Sequence, residues 1–101
     1  MKLLLPMDKE DTQEGTLVPI HEAAAWAVVT LEEGQVTEVV FYGDREQAME
    51  AWPGAVVVTG DFEPVMDFIE QQMMVLVAHS QRSIDDIVEA FLFKELHELA
   101  F

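Results

Sequence analysis

Three side chains that could bind a ligand follow directly on apolar, strand-like runs: Asp8 after Lys2 to Pro6, Asp61 after Ala55 to Thr59 and Gly60, and His79 after Met74 to Ala78. If these runs lie parallel, their carboxyl ends share one edge of a sheet, which is where α/β proteins bind ligands. His21, in the segment ahead of another apolar run, can fold over the same edge. Imidazoles together with carboxylates would ligate zinc, iron or another divalent ion without thiolate. His21, Asp61 and His79 are therefore the candidate cofactor contacts, and Asp8, His21 and His79 the candidate metal ligands. Plain structural roles account for the same residues: Asp61 as a helix cap, His79 as a satisfied loop residue and Asp8 as a solvated acid.

Other chemistries lack their residues. There is no cysteine, so disulfides, thiolate zinc sites, cysteine nucleophiles and cysteine-ligated clusters are excluded. His21-Glu22-Ala23-Ala24-Ala25 begins like a zinc-protease helix but has alanine where the second histidine is needed. Ser80 and Ser83 stand in no nucleophile-elbow sequence, and Gly60 alone makes no phosphate loop. A two-metal nuclease would need carboxylates on its strands, and Lys2 to Leu5 holds none. The expectation is a protein that is not an enzyme.

Charge narrows the partners. Twenty acids against five bases give a formal charge of −15, which repels nucleic acid and anionic membranes. Neutral, basic or metallic partners remain, other proteins foremost. The opening run stops at Pro6 and no apolar stretch reaches bilayer length, so no membrane association and a cytoplasmic location are expected.

The elements that position these residues follow from patterning. At 101 residues and half hydrophobic, the chain 1–101 should form one domain with its own core. Lys2 to Pro6 reads as a strand and Met7 to Thr16 as a loop. Ala24 to Leu31 is apolar on both faces, as in an interior strand, and Glu32-Glu33-Gly34 turns it into a partner strand, Val36 to Tyr42, nearer an edge. Asp44 and Gln47 have capping-box spacing and open a short helix that must end near Trp52, before Pro53-Gly54. After Gly60, Phe62, Val65, Met66, Ile69 and Met73 suggest a longer helix, with Asp61 placed to cap it. Ser83 caps the last helix, whose stripe is Ile84, Ile87, Val88, Phe91, Leu92, Leu96 and Leu99, with His97-Glu98 near its end. Trp26, Met49, Trp52, Met66 and Met73 read as core. The expected architecture is α/β, a three-layer ribonuclease-H-like arrangement with a mixed five-stranded sheet of order 3-2-1-4-5 and about three helices.

The order of these parts resembles the dinitrogenase iron-molybdenum cofactor biosynthesis family, the small NifX-type domains of ribonuclease-H-like fold. The resemblance rests on the opening strand with Pro6, the loop with Gly15, the Glu33-Gly34 turn and the Gly54-Ala55-Val56-Val57-Val58-Thr59-Gly60 strand. Above all it rests on the closing segment Ser83 to Leu96. Where the family carries a Ser-x-His-Phe-Gly-like segment, Pro19, Ile20 and His21 stand in place of its His, Phe and Gly. Its Gly-rich turn after the fourth strand is replaced by Asp61-Phe62-Glu63-Pro64 after Gly60.

The resemblance implies a non-enzymatic accessory protein that binds or delivers an iron-sulfur or iron-molybdenum cluster, held transiently. The alternative is a degenerate member without metal, acting as an acidic protein-protein adaptor or a structural dimer. Phe93, on the face of the last helix expected to be wet, and Phe101 close by are the candidate partner interface, including a homodimer contact.

Overall fold

The computed structural model describes residues 1–99. The strands are β1 (Lys2–Met7), β2 (Ala25–Glu32), β3 (Gln35–Tyr42), β4 (Ala55–Val58), β5 (Met74–Val77) and β6 (His97–Glu98). The helices are α1 (Arg45–Met49), α2 (Met66–Glu70) and α3 (Ile84–Leu92), and a single 3-10 turn spans Ile20–Glu22. The sheet order is β3-β2-β1-β4-β5-β6. β1, β4 and β5 are parallel, while β2 runs against both β1 and β3. The expected order of the first five strands holds, and the sheet is mixed. It has six strands instead of five because β6 adds antiparallel to β5, with Val77 opposite His97.

Strand parity divides the core into two faces. Leu3, Leu5, Met7, Ala27, Val29, Ala55 and Val57 face α3, where Ile84, Ile87 and Val88 cover them. Leu4, Trp26, Val28, Val56, Val58 and Val75 face the other way, toward Ala48 of α1 and Phe68 of α2. The result is three layers. Full burial of a side chain such as Phe68 contributes about 1.5 to 3 kcal/mol.

The β2–β3 hairpin closes on Glu33 and Gly34, both at positive φ (53° and 80°), a two-residue turn whose twist suits the strands. Asp44 caps α1 by accepting the Gln47 N–H at 2.8 Å, and Ser83 caps α3 by accepting that of Asp86 at 3.1 Å. Both caps are as the sequence spacing implies.

Two helices differ from expectation. The longer helix after Gly60 is only Met66–Glu70, preceded by an irregular turn, and Val65 stands at its N-cap, leaving Asp61 out of that role. Pro64 disfavours the helical conformation at Glu63, and the Glu63 carboxylate folds back on the end of β4. Phe62 and Met66 are consequently exposed, as is Trp52, so neither Met66 nor Trp52 belongs to the core. Trp26 and Met73 do.

The last helix stops at Leu92. Lys94 takes a left-handed conformation (φ 59°), the Glu95 N–H bonds the Ala90 carbonyl and the Lys94 N–H that of Phe91. These paired bonds form a Schellman C-cap. His97-Glu98 is therefore strand and not helix. Leu96 packs on one face of the sheet and Leu99 on the other, as strand parity requires, while Leu92 is left exposed.

Candidate functional site

Parallel pairing of β1, β4 and β5 brings the segments after them to one edge of the sheet. Asp8, Asp61 and His79 thus share an edge, as their strand-end positions imply. The loop carrying His21 also reaches it, because the Ile20 N–H donates to Glu63 Oε1 at 2.7 Å.

The four candidates do not converge on one point. His79 Nε2 lies 3.8 Å from Asp61 Oδ1, a pairing between two largely exposed side chains. Asp8 is committed elsewhere: Oδ1 accepts the Thr16 N–H at 2.7 Å and Oδ2 the Thr16 hydroxyl at 2.9 Å. The Thr16 amide bond, followed by its hydroxyl, holds the Asp8 carboxyl below the usual carboxylate range. His21 is exposed on its 3-10 turn and pairs with Glu22 at 3.5 Å. Among the described residues no three His, Asp or Glu side chains are close enough to hold one ion.

The structure adds a residue to the Asp61–His79 pair. His97, at the start of β6, places its ring 6.3 Å from that of His79. Around His79 the edge therefore gathers Asp61 on one side and His97 on another, drawn with it from three segments. Sequence patterning hid His97 because the apolar spacing through Leu96 and Leu99 continues that of α3.

Two further residues build this edge without being candidates for chemistry. Glu63 Oε2 accepts from the Thr59 N–H (2.7 Å), the Thr59 hydroxyl (2.6 Å) and the Gly60 N–H (2.9 Å). An acid three residues after Gly60 has capping-box spacing, the one sequence signal of this role. Arg82 donates to the carbonyls of Ala78 and Gln81 at 2.8 Å and of His79 at 3.3 Å, so its guanidinium organises the loop that carries His79. The Leu17 N–H bonds the Arg82 carbonyl at 2.7 Å and ties this loop to the segment after Thr16.

Phe93 is 72% exposed at the C-cap of α3, and Phe101 lies outside the described residues. No helix among the described residues is long and apolar enough to cross a membrane.

No family model matches the sequence, and no curated protein matches it. Solved structures do. One is the crystal structure of a Methanocaldococcus jannaschii protein provisionally described as a dinitrogenase, similar over 99% of this chain and 95% of its own, with a TM-score of 0.79 and 13% identity. Another is the NMR structure of a Thermotoga protein provisionally described as NifB and placed in the DUF35 family, with 99% and 95% coverage, a TM-score of 0.70 and 16% identity. At these identities the likeness is one of fold.

Proposed function

We propose that this chain is a non-enzymatic accessory protein of the nitrogenase-cofactor-biosynthesis type, carrying a metal-sulfur cluster as cargo between proteins. Its layer and strand order are read as ribonuclease-H-like, the fold that the NifX-type resemblance implies. The observation that carries the proposal is the Asp61–His79 pair with His97 beside it, at the strand-end edge of a fold shared with a protein provisionally described as a dinitrogenase. The donors available suit brief contact. Imidazoles and a carboxylate, each contacting a cluster singly, can touch the exposed irons of a cluster that brings its own sulfide, while offering no thiolate cage.

Anaerobic reconstitution with iron, sulfide and molybdate, followed by metal analysis and absorbance, tests this reading. Stoichiometric uptake that falls on His79→Ala supports it. A well-folded sample that takes up no metal sinks it.

One observation favours the metal-free adaptor instead. The backbone donors at the end of β4, which would otherwise be free to donate to a cluster's sulfides, are already held by Glu63. In that reading the same edge is a rigid protein-binding surface, and uptake is absent in both the parent and the His79→Ala variant.

A further inference from the structure

A cavity of about 650 Å³ opens between α1 and α2, away from the loop edge. Trp52 and Pro53 precede β4 and Met73 precedes β5, so the cavity borders the amino ends of these strands, opposite the end where Asp61 and His79 lie. Its volume is within the range of roughly 300 to 1,000 Å³ usual for ligand sites. Met49, Trp52, Phe68 and Met73 supply an apolar lining. Carboxylates stand on both walls, Glu46 and Glu50 on the α1 side and Asp67 and Glu70 on the α2 side. The cation among the lining residues is already engaged: Arg45 bonds Asp67 at 2.8 Å and stacks 4.8 Å over the Phe68 ring.

Trp52 is 86% exposed and sits at φ 58°, a left-handed conformation that costs a bulky residue stability. An exposed tryptophan over an apolar hollow, ringed by acids, is the composition of a binding hot spot and not of an idle surface.

We infer that this cleft docks a basic segment of a partner protein, one that places an aliphatic or aromatic side chain against Trp52 and flanking Lys or Arg among Glu46, Glu50 and Glu70, the carboxylates that Arg45 does not hold. Charge decides the occupant. A second copy of this chain would bring the same acidic rim and a charge of −15, so self-association through the cleft is opposed. A small cation would leave most of the Trp52 ring in water, whereas a chain laid across the cleft covers it and meets acids on both walls.

The test is calorimetric titration of the whole chain with a hexapeptide in which four basic residues flank a Phe-Leu pair, followed in parallel by tryptophan emission. Trp26 is buried, so a blue shift on binding reports Trp52. Saturable binding with that shift is expected. Trp52→Ala should weaken it at least tenfold, as should joint replacement of Glu46, Glu50 and Glu70 by Gln, and His79→Ala should leave it unchanged. These exposed positions keep the fold, and retained thermal unfolding verifies that. Absence of binding overturns the inference. So does equal affinity for a peptide with Ser-Ser in place of Phe-Leu, which would mark unspecific charge attraction, or for benzyltrimethylammonium, which would mark a small-cation pocket. The loop edge is untouched by these variants, so failure here and failure of cluster uptake are separate results.

Discussion

Glu63 bonds Thr59 twice, through the amide at 2.7 Å and the hydroxyl at 2.6 Å, while its other carboxylate oxygen holds the Ile20 N–H. One side chain thus joins the end of β4 to the 3-10 turn that carries His21. Hydrogen bonds to a charged acceptor contribute about 1.5 to 3 kcal/mol each at most, and water can replace part of this in a half-exposed loop. Glu63→Ala is expected to cost about 2 kcal/mol overall, with Glu63→Gln costing less. Urea unfolding measures both, and an unchanged midpoint for the alanine variant would show that the network contributes nothing.

The histidines should separate in any metal experiment. His79 neighbours both Asp61 and His97, whereas His21 pairs with Glu22. Loss of one ligand contact of about 1.4 kcal/mol lowers affinity about tenfold, so His79→Ala and His97→Ala should each weaken cluster uptake by at least that factor. His21→Ala should change it little. The opposite ranking would move the contact point to the 3-10 turn.

The Asp8–Thr16 clamp should be visible in acid. Its carboxyl titrates below its ordinary value, chiefly because the Thr16 N–H bonds the charged form. A depressed folded pKa means that the contribution is complete above the unfolded value, near pH 4, and is lost as pH falls through the folded one. Asp8→Asn should therefore be less stable than the parent at pH 7, and the gap should close below about pH 4. A constant difference from pH 7 to pH 2 would contradict the assignment.

Lys94 occupies the left-handed position of the α3 C-cap, where glycine avoids a cost of about 1 kcal/mol. Lys94→Gly is expected to raise the melting temperature by roughly 4 to 8 °C, given the entropy of unfolding of a domain this size. A drop would mean that α3 runs on past Leu92 and that β6 is not strand.

Gly15 is fixed for a steric reason. A Cβ there would sit 2.5 Å from the Asp11 carbonyl oxygen and 3.1 Å from that of Lys9, both backbone atoms that cannot swing aside. Gly15→Ala should destabilise the domain by about 1 to 3 kcal/mol, the range of overpacking changes. Thermal unfolding against a Gly43→Ala control, where nothing lies within 4 Å, isolates the clash.

The chain's local chemistry determined a good deal by itself. Apolar runs of strand length marked β1, β2, β4 and β5, Asp44 and Ser83 marked two helix starts, and Glu33-Gly34 marked the hairpin, because each signal is carried by neighbouring residues. The parallel grouping of β1, β4 and β5 followed from their helical returns, and with it the common edge of Asp8, Asp61 and His79.

What tertiary structure decided was every feature that depends on distant partners or on an unmarked backbone state. Lys94 and Gln72 end α3 and α2 in left-handed conformations without a glycine to announce it, so helical spacing overran both ends. β6 exists through pairing with β5, which a two-residue strand cannot signal alone. Glu63 is bound back onto Thr59 and Gly60, which stopped α2 from starting at Asp61 and left Phe62 and Met66 in solvent. His97 came to His79 only through the β5–β6 register, and the acidic cleft around Trp52 only through the packing of α1 beside α2. Periodicity specifies which face of an element is apolar; where the element stops, and what then meets across the sheet, is settled by hydrogen bonds between residues far apart in the chain.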